Sequence, residues 1–199
     1  GLKAEQVIGK TLLEVLPGTE ASWIERYGHV ALTGESTTFE QYAATLGKHF
    51  RVLAQSPRKG LFSVLAVDIT EERRREERLA LLSRAVEQSP ATIVITNPRG
   101  DIEYANPKFE TLTGYTVQEA LGQNPRILKS GLQGPEVYEE LWATLLRGET
   151  WRGEFCNRRK DGSLFWERAV ISPMLEDGRI THFLAVKEDI TNERALEET

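Results

Sequence analysis

The 199-residue sequence has a single cysteine, Cys156, so no intramolecular disulfide can form and nothing in it argues for an oxidising compartment. It has no apolar run near the roughly 20 residues that span a bilayer. Gly1-Leu2-Lys3-Ala4 opens into helix-like sequence rather than into a signal peptide. These absences lead us to expect a cytoplasmic location with no direct membrane contact in this segment. A basic surplus is missing as well. Lys and Arg number 25 against 30 Asp and Glu, for a net charge of -5, and acids flank the densest basic run, Arg73 to Arg75. No nucleic-acid partner is therefore expected. There is no nucleophile–base pair, metal-ligand cluster or phosphate-binding loop. Cys156 has no base placed beside it and reads as an outward or edge residue, not a nucleophile. Neither an enzyme nor a metal site is expected.

Hydrophobic residues at 40% and charged residues at 28% are ordinary for a globular chain. The organising stretch runs from Asp68 to Pro90 and reads as one helix leaving a strand. Thr70 is placed to cap it, and Glu71 and Glu72 sit in the first turn, where the helix dipole favours negative charge. Arg73 and Glu77 are spaced to pair. The acids and bases of the first two turns read as a solvated face. Leu79, Leu82 and Val86 then form an apolar stripe that needs something to pack against. Pro90 disfavours helix at Ser89 and ends the element.

Self-similarity organises the rest. Gly1 to Gly9 resembles Gly114 to Gly122, and Leu32-Thr-Gly-Glu35 resembles Leu146-Arg-Gly-Glu149. Ser56-Pro57 matches Ser172-Pro173, and Val64 to Thr70 matches Phe183 to Thr191, each followed by the start of an acid- and arginine-rich helix. We read two copies of one unit. The first lacks the counterpart of two strands and a short helix, which leads us to expect a chain cut from a longer protein, with an open sheet edge in copy one.

In copy two, strands are expected over 91–96 and 101–105, short helices near 107–112 and 117–121, and a longer helix over 135–146 with Pro135 at its first position. Three more strands follow at about 151–158, 164–172 and 181–187, the first two joined through Lys160-Asp-Gly-Ser163. Strands, short helices and then strands give an α+β fold, an antiparallel sheet with helices on one face and a small interior between them for a ligand.

Strand alternation decides what faces that interior. Trp151, Gly153, Phe155 and Asn157 share one face, and the charges of Arg152, Glu154 and Arg158 mark the other as outward. Phe165, Glu167, Ala169 and Ile171 form the core face of the next strand, and Lys187 is in phase with Phe183 and Ala185. An amide, a carboxylate and an ammonium thus converge on an apolar cavity, where buried polar groups need partners. A flat heteroaromatic ligand provides them. The alternative is that Glu167 and Lys187 lie near strand ends and pair with each other or with water.

Copy two resembles the PAS sensory domain. The resemblance rests on Ala105-Asn-Pro-Lys-Phe109, on Gly114 to Gly122, on Trp151 to Gly162 and on Asp189-Ile-Thr191, and covers nearly all of the copy. Copy one resembles the later part of a second PAS domain. The resemblance implies a PAS fold with a five-stranded antiparallel sheet, divided as a PAS domain lacking its N-terminal part at 1–70, a connecting helix at 71–88, a PAS domain at 89–191 and the start of a signalling helix at 192–199. It also implies a homodimer formed through the connecting helix, a downstream output domain in the same chain and a role in a signalling protein such as a histidine kinase.

Asn124 to Ser130 and Asn157 to Gly162 resemble the flavin-binding branch of the family, which contains light-sensing domains and FAD redox sensors of the NifL type. Light-sensing members carry a cysteine where this sequence has Pro125 and a glutamine where it has Lys187, so adduct photochemistry is not expected. The redox sensors resemble this chain at Trp142, Trp151 and Asn157. The resemblance therefore implies FAD in copy two, with Asn157 on the polar edge of the isoalloxazine, Asn124, Trp142 and Trp151 shaping the pocket, and Glu167 and Lys187 as tuning groups. Haem is not expected. His182 lies on the last strand, and Glu20 occupies the usual ligand place in copy one. The competing reading is a ligand-free dimerisation and relay module.

Overall fold

The computed structural model describes residues 3–197 and divides between Ala80 and Leu81 into two compact units. Gly1 and Leu2, which open the first repeat motif, and Glu198 and Thr199, which end the expected signalling helix, lie outside the described residues.

The first unit begins with the short helices α1 (Ala4–Val7) and α2 (Leu12–Val15), followed by α3 (Ala21–Thr33). A three-stranded antiparallel meander follows, β1 (Thr37–Ala43), β2 (Lys48–Arg58) and β3 (Leu61–Asp68). Trp23 of α3 packs with Phe39 and Val52 of the sheet in a small core. The outer edge of β3 pairs with no strand among the described residues, and all eight of its residues are exposed, including Phe62, Val64, Leu65 and Val67. The open edge expected for this unit is therefore apolar.

Helix α4 (Thr70–Glu87) follows. Its capping differs from the expectation in one respect. The Oδ1 atom of Asp68 accepts from both the backbone N–H and the hydroxyl of Thr70, and Thr70 Oγ1 accepts from His49 N at 3.0 Å instead of closing its own helix turn. Two residues before the helix, an aspartate reaches the orphan donors better than a threonine already held by the neighbouring strand. Leu79, Leu81 and Leu82 are exposed.

The second unit contains a five-stranded antiparallel sheet of order β5-β4-β8-β7-β6, formed by β4 (Thr92–Thr96), β5 (Ile102–Ala105), β6 (Trp151–Arg158), β7 (Leu164–Glu176) and β8 (Arg179–Asp189). Between β5 and β6 run α5 (Pro107–Thr113), α6 (Val117–Ala120), a 3₁₀ turn (Pro125–Leu128) and α7 (Pro135–Leu146), and α8 (Thr191–Glu197) follows β8. The α+β architecture is as the alternation of strand and helix patterns predicts. Strands β7 and β8 are longer than expected, because Asp177 and Gly178 both adopt positive φ and close a tight hairpin between Glu176 and Arg179. Pro173 is tolerated inside β7 because β6 pairs only as far as Ile171.

Two buried clusters fill the space between sheet and helices. One gathers Val94, Ile102, Phe109 and Leu128, and the other gathers Leu141, Leu145, Trp151, Phe155 and Phe183. Gly153 is required beside Trp151, because a Cβ there would stand 2.3 Å from the indole. Among the described residues no helix is long and apolar enough to cross a membrane.

Candidate functional site

A cavity of about 380 Å³ opens between the sheet and helix α7 of the second unit. Its walls are largely apolar: Val94 of β4, Leu141, Trp142 and Leu145 of α7, Phe155 of β6, and Phe183 and Ala185 of β8. Each comes from the face that alternation or helical spacing turns inward. Trp142 meets Phe183 edge-on, with ring centroids 5.5 Å apart.

At the inner end stands a buried polar cluster. Asn157 Nδ2 donates to Glu167 Oε1 at 2.8 Å, and Lys187 Nζ meets the same oxygen at 2.5 Å. Glu167 is 1% exposed and the Lys187 side chain 8%. The three positions sit on β6, β7 and β8, three adjacent strands, and the sheet pairing brings them side by side. One carboxylate oxygen thus satisfies both neighbours, and Asn157 Oδ1 accepts no hydrogen bond among the described residues. Removing an ion pair this far from water costs desolvation at both charges, so each depends on the other.

Of the six residues expected at a ligand, Asn124, Trp142, Asn157 and Lys187 line the cavity. Glu167 stands behind Asn157 and Lys187 and supports them. Trp151 lies in the core below, 5.0 Å from Phe155 between ring centroids, with its indole nitrogen buried and unpartnered. Asn124 caps the 3₁₀ turn through Arg126 N and donates from Nδ2 to Gly100 O at 3.0 Å. Gly100 has φ +86°, and a Cβ there would come within 2.7 Å of the Asn124 amide. Gly100, Tyr138 and the cations Arg126 and Lys129 also line the cavity; the two cations lie within the Asn124–Ser130 motif, but none of the four was expected as a ligand contact. Lys129 Nζ sits 3.9 Å above the Tyr138 ring, a pairing that a turn residue and a helix residue make only in the fold.

Cys156 corrects an expectation. It points away from the cavity as alternation requires, yet it is 2% exposed. Its strand is a sheet edge, and the segment before α7 covers that edge. Ser130 Oγ donates to Cys156 O, Gln133 Oε1 accepts from Cys156 N at 3.1 Å, and Gln133 Nε2 donates to Glu154 O at 2.7 Å. Side chains thus take the place of a sixth strand.

On the outward face, residues adjoining the polar cluster hold the exit helix. Arg168, next to Glu167 on β7, pairs with Glu154 at 3.3 Å and with Glu193 of α8 at 3.4 Å, and Arg194 of α8 pairs with Glu154. Asp189 Oδ1 takes the N–H and hydroxyl of Thr191, whose Oγ1 accepts from Trp166 N. The first unit repeats this set of contacts. Arg51 pairs with Glu40 at 2.7 Å and Glu72 at 3.1 Å, and Arg73 pairs with Glu40. The charged turns of α4 are therefore more than the solvated face expected of them, and Arg73 engages Glu40 and Glu76 in place of Glu77. Glu154→Gln is expected to speed amide exchange over Thr191–Glu197 several-fold and to leave β4 unchanged, since it unties a helix end and no core contact. Equal exchange in the variant would show that the charges do not hold the helix.

Comparison with known proteins places the second unit. The sequence model of the PAS domain family matches residues 90–192, just over half of the chain. A nitrogen fixation regulatory protein of Klebsiella oxytoca is 40% identical over 124 residues, covering 62% of this chain and 25% of that protein. A blue-light-activated histidine kinase of Brucella anthropi is 36% identical over 113 residues, covering 55% of this chain and 23% of the relative. Among solved structures, a light-oxygen-voltage domain studied with a flavin analogue is 33% identical with a TM-score of 0.52, over 59% of this chain and 90% of that one. The chain thus spans about a quarter of the length of these curated relatives.

Proposed function

The chain belongs to the PAS domain family, and from that premise we propose that its second unit is a flavin-binding sensor of redox state or oxygen, holding FAD, within a larger signalling protein such as a histidine kinase. A PAS domain is a sensory domain, not a catalytic one. The observation that carries the reading is the pairing of a free acceptor and a fixed donor at the inner end of the cavity. Asn157 Oδ1 has no partner there, and the Lys187 ammonium has N–H groups beyond the one given to Glu167. Acceptor beside donor complements the carbonyl and N–H edge of a flat imide-bearing ring such as isoalloxazine. The apolar walls formed by Leu141, Trp142 and Phe183 would suit the ring's faces, and Arg126 and Lys129, which also line the cavity, would supply positive charge for a diphosphate.

Bound flavin supplies reversible two-electron chemistry accompanied by proton uptake. Asn157 and Lys187 orient the ring and sense its change in hydrogen-bonding capacity, a contact that differs between the two states. Glu167 ties both to β7. Its neighbour Arg168 holds Glu193, so a shift of the inner cluster reaches the root of α8 within one residue of strand. The first unit is read as the later part of another PAS domain, on the strength of the repeated exit contacts at Asp68 and Asp189. In the parent protein α4 pairs with its copy in a homodimer through the stripe of Leu79, Leu82 and Val86, and the output domain lies in the same polypeptide.

A ligand-free relay module is the second reading. It is favoured by the fact that Glu167 already has both partners it needs. An absorption spectrum of the purified protein, with chromatography of what denaturation releases, decides between them. Released FAD supports the sensor, and a colourless protein supports the relay. Asn157→Ala is expected to weaken flavin binding about tenfold, the worth of one buried hydrogen bond with an unsatisfied partner. Full occupancy with an unchanged redox potential in that variant would remove Asn157 from the site.

A further inference from the structure

The charge that lines the cavity of the second unit is of one sign. Its charged residues are Arg126, Lys129 and Lys187, and no carboxylate among the described residues lines it. The nearby acids are turned elsewhere. Glu154 of β6 faces outward and pairs with Arg168 and Arg194, and Glu167 of β7 stands behind Lys187, 1% exposed. Helix α7 carries Glu136, Glu139 and Glu140, none of which reaches the wall. Its one titratable group there is Tyr138, whose phenol burial holds above its ordinary range and so neutral. Strand β4 brings only Val94 and Thr96.

The order of the charges within the inner cluster matters. Lys187 Nζ meets Glu167 Oε1 at 2.5 Å and stands 5.6 Å from the centroid of the Phe155 ring, itself a wall of the cavity. Lys187 lines the cavity and Glu167 does not, so the ion pair presents its positive end to whatever is bound. Coulomb attraction falls with distance and is stronger where water is excluded. An ammonium touching a ring carbonyl therefore outweighs the carboxylate held behind it.

We propose that Lys187 makes the site hold reduced flavin as its anion, so that reduction takes up one proton where free flavin in acidic solution takes up two. The inference rests on the flavin reading given above. In the balance, an external donor supplies two electrons and solvent supplies one proton to the ring's N5. N1 stays unprotonated, its negative charge spreads over the imide carbonyls beside Lys187, and Lys187 keeps its own protons. Arg126 and Lys129 are engaged by the diphosphate in that reading, which leaves Lys187 as the cation for the ring. The consequence is a sensor whose set point varies with pH half as steeply.

The test is a dithionite titration of the FAD-loaded full chain against a reference dye, with free FAD beside it, giving the midpoint potential as a function of pH. For free FAD the dependence steepens on the acid side, where the reduced ring gains its second proton. For the bound flavin that break is expected about one pH unit lower or more, an affinity for the second proton weaker by about tenfold. In the double variant Glu167→Leu/Lys187→Met, which removes both charges together, the break is expected to return toward that of free FAD. Should that variant bind no flavin, the wild-type break alone decides. A wild-type break at or above that of free FAD, or one unmoved in the double variant, would overturn the inference while leaving flavin binding intact. A chain that takes up no FAD would overturn the flavin reading and this inference with it.

Discussion

Glu167→Leu is expected to lower the unfolding free energy of the second unit by about 3–5 kcal/mol, because it leaves the Lys187 ammonium buried with no counter-charge. The carboxylate is 1% exposed, and its Oε1 atom serves both Lys187 and Asn157. The replacement therefore strands two polar groups at once. The double variant Glu167→Leu/Lys187→Met is expected to recover most of that loss, since removing both charges also removes their desolvation cost. Denaturant titration followed by tryptophan fluorescence checks this, as Trp142, Trp151 and Trp166 all lie in the second unit. A single variant that loses less than about 1 kcal/mol, the range of exposed ion pairs, would mean that water reaches the pair. The same comparison separates structure from sensing. If the double variant folds but no longer binds flavin, Lys187 acts on the ligand; if it binds as before, the pair is scaffold.

The second large effect is expected at Asn106. This side chain is 0% exposed and stitches the end of α4 to the sheet. Its Nδ2 donates to Val86 O at 3.2 Å and Ala91 O at 2.9 Å, and its Oδ1 accepts from Ile93 N at 2.9 Å. Asn106→Ala takes away the partner of Ala91 O and Ile93 N, while Val86 O keeps its bond from Ser89 N, at a cost of about 2–4 kcal/mol. Hydrogen exchange is expected to show the loss concentrated at Val86 to Ile93. A cost below 1 kcal/mol would mean that the chain entering β4 is held by other contacts.

Much of this was legible in the sequence. Helix α7 and strand β6 begin and end where Pro135, Leu146, Trp151 and Arg158 predict, because Pro at the first helical position and two-residue alternation are local properties. The same alternation turns Asn157, Glu167 and Lys187 inward. The hairpin at Asp177-Gly178 was equally local, and its Asp-Gly signal was available.

The rest depended on contacts between distant segments. Whether Glu167 would find Lys187, a ligand or water could not be read from either residue, because the answer lies in the register of β7 against β6 and β8. Cys156 was placed on the correct face, but its burial was missed, since Ser130 and Gln133 cover it from a segment more than twenty residues earlier. The charged turns of α4 are exposed as expected, but their pairing with Glu40 and Arg51 was not legible, because those partners belong to a sheet that local spacing does not bring near them. The sequence alone determined which elements form and which way each side chain faces, since backbone geometry sets both. Tertiary structure alone decided which inward groups meet, and hence that Asn157 and Lys187 share one carboxylate oxygen of Glu167 at the inner end of the cavity.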